Sequence, residues 1–174
     1  MFLNAFSFSS DLSSWNVTSV VNFNGMFHNC TSFNSDISGW NLSNAESISQ
    51  MFDGASSFNG DLSTWHFPNV RSTSQMFKSA SAFTGSSITQ WNVSSIIDME
   101  SMFEGATSFN SSLRLWDIDS VLNFRSMFKN ASSFDQILCW DINPLANIDD
   151  IFLGTVCAPD CFKVGDPVCI TNIQ

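Results

Sequence analysis

Apolar residues return along this chain on a fixed step. Six tryptophans, Trp15, Trp40, Trp65, Trp91, Trp116 and Trp140, lie 25, 25, 26, 25 and 24 residues apart, and the chain has no others. A Met-Phe pair recurs as Met1-Phe2, Met26-Phe27, Met51-Phe52, Met76-Phe77, Met102-Phe103 and Met127-Phe128, and decays to Ile151-Phe152. A second Phe follows six residues after the first at Phe8, Phe33, Phe58, Phe83, Phe109 and Phe134. Trp to the next Met (or Ile151) is always eleven residues, so changes of length fall between the second Phe and the Trp. Such self-similarity marks a stacked repeat, in which no unit can bury its apolar face alone.

Apolar side chains five, eight, eleven and twelve residues after each Trp, as in Val20, Phe23, Met26 and Phe27 or Ile96, Met99, Met102 and Phe103, predict one face of a helix. Three residues after Trp stand Thr18, Ser43, Pro68, Ser94, Asp119 and Asn143, five of which can cap a first turn, and Pro144 suits the first helical position. Beyond each Met-Phe pair come Asn4, Asn29, Gly54, Ser79, Gly105, Asn130 and Gly154, residues that tolerate the left-handed conformation ending a helix. The expected helix is about ten residues, or ~15 Å. Leu12, Trp15 and Val17, repeated as Ile37, Trp40, Leu42 and as Leu113, Trp116, Ile118, predict a short strand with Trp inward.

The expected architecture is therefore an α/β right-handed solenoid of about six coils of 24–26 residues, each a short parallel strand plus a short helix. Residues 1–156 form the repeat, six coils and a partial seventh, and 157–174 a C-terminal cap or tail. A small residue recurs at Ala5, Cys30, Ala55, Ala80, Ala106 and Ala131, where backbones crowd. Thr73 on an apolar face, His66 with Pro68, and the shortened sixth coil depart from the pattern.

The unit resembles the bacterial surface-protein repeat of about 26 residues found in mycoplasma-type lipoproteins and in algal and protist surface proteins, related to BspA-like leucine-rich repeats. The carriers are Ala-x-x-Phe-Asn, Leu-Ser-x-Trp-Asn-Val, the Met-Phe pair and the Val-x-x-Met-x-x-Met-Phe spacing, from Met1 to about Cys157. The resemblance implies a leucine-rich-repeat-like solenoid outside the cell, used for adhesion, recognition or wall architecture.

Sixteen acids against six bases give a net charge of −10, which argues against nucleic acid and anionic membranes as partners. No stretch approaches the ~20 apolar residues of a membrane span. Met1 opens the chain in mid-unit, in the repeat's own Met column, which suggests a mature or cropped segment of a longer protein. Cys30 falls in the small-residue column as a buried free thiol, whereas Cys139, Cys157, Cys161 and Cys169 cluster where the repeat fails. These four predict a disulfide-locked cap; of three pairings, Cys139 with Cys157 and Cys161 with Cys169 is favoured, and their spacing fits a zinc site poorly.

Six N-x-S/T sequons begin at Asn16, Asn29, Asn41, Asn92, Asn110 and Asn130 and are glycan acceptors if the chain is secreted by a eukaryote; in a bacterial protein they are outward turn residues. Nothing points to catalysis or a cofactor: His28 and His66 occupy different columns without an evident partner, and no nucleophile elbow, dinucleotide or phosphate loop, or H-E-x-x-H is present. Asp117 and Asp141 stack in the column after Trp and could hold Ca²⁺ with Asp119, although solvated repulsion is the simpler reading.

Two functions fit. One is an extracellular adhesion or recognition scaffold that presents outward columns such as Ser14, Asn16 and Thr18 to a protein or glycan, although the absence of Tyr weakens it slightly. The other is a structural subunit of a glycosylated wall, stalk or filament, joined end to end through Met1, Phe2, Phe6 and Phe8 and the Val168–Ile173 tail.

Overall fold

The computed structural model describes residues 1–157 and 161, and among these it contains no α-helix and no extended strand, only isolated parallel bridges. The bridges join Asn22 to Ser47, Ser72 to Asp98, Asp98 to Asn123 and Asn123 to Asn147. The α/β, leucine-rich-repeat-like architecture of strand plus helix is thereby corrected. The chain is a stack of coils built from consecutive turns.

The stretch from Leu12 to Phe33 shows why. Trp15 N donates to Leu12 O, Val20 N to Val17 O, Met26 N to Phe23 O, Cys30 N to Phe27 O and Phe33 N to Cys30 O, at 2.9–3.0 Å. Each bond closes a turn between two apolar residues three apart. Other amides leave the coil: Phe23 N reaches Ser47 O at 2.8 Å, Gly25 N Ser49 O at 3.0 Å, Phe27 N Met51 O at 2.9 Å and Asn29 N Asp53 O at 2.7 Å. These N–H groups are committed to the next coil and cannot reach the i−4 carbonyl that an α-helix requires.

Left-handed residues enforce the pattern. Gly25, Gln50, Gln75, Ser101, Ser126 and Asp150, each just before the Met or Ile151, have φ between 54° and 59°. They fall inside the expected helix, and no right-handed helix continues through such a residue. The residues beyond the Met-Phe pair (Asn4, Asn29, Gly54, Ser79, Gly105, Asn130, Gly154) are left-handed as their types suggested, but each completes a turn and caps no helix.

Inside the stack, two Phe columns run its length. Within a coil the rings stand close, at 4.0 Å for Phe77–Phe83 and 3.9 Å for Phe27–Phe33, and between coils Phe52–Phe77 and Phe77–Phe103 are 5.4 and 5.8 Å apart. Trp40, Trp65, Trp91, Trp116 and Trp140 are buried, and each indole Nε1 donates to a carbonyl of the preceding coil: Leu12, Ile37, Leu62, Ile88 and Leu113 respectively. The Trp ladder is therefore a core element that also ties neighbouring coils together. Cys30, Ala55, Ala80, Ala106 and Ala131 are fully buried, as the small-residue column anticipates, and Cys30 is a free thiol.

Beyond the last full coil, Val156 N and Cys157 N reach Phe134 O, and Leu138 N reaches Cys161 O. Cys157 is bonded to Cys161, which corrects both favoured pairings, Cys139 with Cys157 and Cys161 with Cys169; Cys157 and Cys161 are four residues apart with Cα atoms at 5.2 Å. Cys139 is also disulfide-bonded. Cys169 and the Val168–Ile173 segment lie outside the described residues.

Candidate functional site on the outward columns

With the aromatic side chains taken up by the core, polar chemistry is left on outward columns, one residue per coil. The column after Trp is exposed throughout: Asn16, Asn41, His66, Asn92, Asp117 and Asp141. Oδ1 of Asn16, Asn41, Asn92 and Asp117 accepts the N–H of Thr18, Ser43, Ser94 and Asp119 at 3.1, 2.9, 3.1 and 3.3 Å. The residues expected to cap a helix are thus the donors of an Asx turn whose acceptor lies two residues earlier. Asp11, Asp36 and Asp61 build a second such column, each accepting the N–H of Ser13, Ser38 or Ser63 at 2.9 Å. Those hydrogen bonds hold all three carboxyls below the usual range.

A third column was not legible as a site. Two residues after each Met or Ile151 the series reads Leu3, His28, Asp53, Lys78, Glu104, Lys129 and Leu153, so basic and acidic side chains alternate along five successive coils. His28 Nδ1 lies 3.4 Å from Asp53 Oδ2 and Lys78 Nζ 2.9 Å from Glu104 Oε2, while Lys129 Nζ turns to Asp150 Oδ2 at 2.7 Å. His28 accordingly has a partner that no local spacing announced. Burial pushes the Asp53 carboxyl up, and the charges of His28 and Lys78 only partly oppose it. Burial also acts to raise Glu104, but hydrogen bonds from Lys78 and Ser101 and the charges of Lys78 and Lys129 together hold it below its ordinary value. The pairs are half-buried, so each contributes about 0–1 kcal/mol, and their larger effect is to fix which coil edge meets which.

An open depression of about 490 Å³ lies where coils two and three meet, lined by Trp40, Asn41, Ser43, Thr64 and His66 among others. Its amide, hydroxyl and imidazole groups suit hydrogen-bonding ligands. Among the described residues no group of three His, Cys, Asp or Glu side chains is placed to hold a metal ion, so Asp117, Asp119 and Asp141 do not form a Ca²⁺ cage. Among the described residues no helix is long and apolar enough to cross a membrane.

Of the sequon asparagines, Asn16, Asn41, Asn92, Asn110 and Asn130 are exposed and Asn29 is half-buried. Asn16, Asn41 and Asn92 lie on the exposed Asx column. Asn29 is half-buried and donates from Nδ2 to Asn4 Oδ1 at 2.9 Å; Asn110 Oδ1 accepts Asp135 N and Gln136 Nε2; Asn130 Oδ1 lies against Gly154.

Compared with known proteins, the chain matches the family described as "Mycoplasma protein of unknown function, DUF285" twice, over residues 1–86 and 65–158, together nearly its whole length. No curated protein and no solved structure matches it.

Proposed function

The chain belongs to this family of Mycoplasma proteins of unknown function, and from that premise we propose that it is a non-catalytic repeat scaffold at the cell surface, presenting its outward columns to a protein or glycan. The observation that carries this reading is the distribution of chemistry. Within the charged and Asx columns the side chains lie one per coil on outward turns, paired between coils or bonded to their own turn, and among the described residues no three His, Cys, Asp or Glu converge to hold a metal. A repeating polar face with a rigid aromatic core is what extended binding surfaces of repeat proteins use.

Brief protease treatment of intact native cells, followed by binding of the purified chain to arrayed glycans and to intact partner cells, tests the proposal. Loss of the chain from intact cells, with saturable binding weakened by Asn41→Ala or His66→Ala in the depression, is expected. A chain protected until the cells are broken would overturn the surface reading.

The edge of the first coil favours a second reading, a structural subunit of a wall, stalk or filament. Met1, Leu3, Phe6 and Trp15 are 82, 59, 57 and 39% exposed, and Met1 and Trp15 help line an apolar slot of about 280 Å³. Trp15 Nε1 lacks the carbonyl that each of the other five indoles finds in the coil before it. A neighbouring copy seated on this edge would bury these side chains and offer Trp15 Nε1 a carbonyl. Sedimentation over a wide concentration range separates the readings: polymers favour the subunit, and monomers throughout remove it.

A further inference from the structure

We propose that the depression between the Trp40 and Trp65 coils binds a neutral sugar residue, and that Gly39 opens the site while Asn41, Thr64 and His66 read the ligand. The inference deepens the recognition reading above and rests on it for its setting. Its warrant is that two departures from the repeat meet at this one place.

The first departure is His66 with Pro68. In the coils of Asn16, Asn41, Asn92 and Asp117 the side-chain oxygen accepts the N–H two residues on and is tied to its own turn. Proline has no N–H, so in the Trp65 coil that turn offers no donor to an Asn or Asp at position 66. The position carries an exposed imidazole instead, and among the described residues no hydrogen bond holds it.

The second departure is Gly39. The residue before each Trp reads Ser14, Gly39, Thr64, Gln90, Leu115 and Cys139, so this coil alone lacks a side chain there. Gly39 is exposed, and a Cβ at this position would meet nothing within 4 Å. Its bare backbone helps line the depression of about 490 Å³, which Thr64 and His66 border from the following coil. Small-ligand sites commonly span ~300–1,000 Å³.

The polar groups define the ligand's chemistry. Asn41 Oδ1 is occupied by Ser43 N at 2.9 Å, which leaves Nδ2 as a donor. Thr64 Oγ1 donates to Ser38 O at 2.6 Å, which leaves that oxygen as an acceptor. A neutral imidazole adds one donor and one acceptor. No carboxylate, ammonium or guanidinium lines the depression. A ligand that meets separate donors and acceptors without charge carries hydroxyls, because each O–H both donates and accepts. Trp40 and Leu42 lie beneath, 2 and 1% exposed, so the floor is closed over the core and holds no cleft for the buried aromatic anchor on which protein partners depend.

The test titrates the folded full chain with the methyl glycosides of glucose, galactose and N-acetylglucosamine, with glucuronate and a neutral Gly-Ser peptide for comparison. Binding is followed through the ring signals of the two histidines and through saturation transfer to the sugar. At least one neutral glycoside should shift His66 saturably and leave His28 in place, and should bind more tightly than glucuronate or the peptide. Gly39→Gln, which supplies the side chain found in the Trp91 coil, should abolish binding without changing the thermal melt, because the added atoms enter open space. His66→Ala should weaken binding roughly two- to tenfold, the loss of one net hydrogen bond. No response to any neutral glycoside, undiminished binding in Gly39→Gln, or tighter binding of the peptide would overturn the proposal, the last in favour of a protein partner. Native chain protected inside intact cells sinks the surface reading instead, and leaves the glycoside titration to judge the site.

Discussion

Thr73→Val should stabilise the protein. Thr73 is fully buried in a column that carries Phe23, Ile48, Met99 and Phe124 in the other inner coils, all at most 1% exposed, and the more exposed Ile148 in the last. Its hydroxyl donates to Met102 Sδ at 3.3 Å, and a thioether is a weak acceptor. Burying a hydroxyl without full compensation costs about 1–3 kcal/mol, and a methyl in its place gains about 0.8 kcal/mol. Val has nearly the same shape, so neither a cavity nor a clash offsets the gain. Allowing for the sulfur contact, the net is about 1–2 kcal/mol, and for a chain of this size each kcal/mol moves Tm by roughly 2–4 °C. The assay is denaturant and thermal unfolding followed by the intrinsic Trp fluorescence. The reverse change, Ile48→Thr, removes a methyl and buries a new hydroxyl, and should cost about 2–4 kcal/mol. A midpoint for Thr73→Val that is unchanged or lower would refute the reasoning, because the hydroxyl would then hold a stronger bond than the one to sulfur.

Trp91→Phe should cost about 1–3 kcal/mol, because it removes the buried indole bond to Leu62 O at 2.9 Å, leaving that carbonyl only the N–H of Trp65, and leaves a cavity, whereas Trp15→Phe at the exposed edge should cost far less; equal losses in unfolding midpoint would refute the tying role. Gly85 has φ 81°, and a Cβ there would enter the Phe109 ring, so Gly85→Ala should destabilise by roughly 2 kcal/mol, read by thermal melting; an unchanged melt would contradict the ring contact. Carboxyl titration by carbon NMR should find Asp53 protonating before Asp11, Asp36 and Asp61 as pH falls. The signs are opposite: the three lowered groups contribute stability that is lost as pH drops through their folded values, whereas Asp53, raised on folding, lessens stability as pH rises through its window. The reverse order of titration would show that burial does not dominate at Asp53.

Much of the stack could be read from the chain before any coordinates. The period, the inward Trp, the crowded small column and the left-handed residues beyond Met-Phe follow from residue type alone. The helix did not survive, and the reason was present in the spacing. Between Val17 and Phe33, apolar residues fall at 17, 20, 23 and 26 and at 27, 30 and 33, a step of three that rarely adds the i+4 neighbour of a helical face. Asn22, Asn24 and Gly25 between them are turn residues, not helix formers. The charge ladder stayed hidden because it joins residues of separate coils, and local motif spacing does not connect them.

The sequence by itself determined which side chains are inside, since burial of large apolar groups at a fixed period leaves one way to stack. It also determined where the backbone turns left-handed at Asn and Gly. The tertiary structure decided where the remaining amides go. Once Phe23, Gly25, Phe27 and Asn29 find acceptors in the next coil, intracoil helix is no longer available to them, because each N–H can satisfy only one strong acceptor. The same contact between coils brings His28 to Asp53 and Lys78 to Glu104.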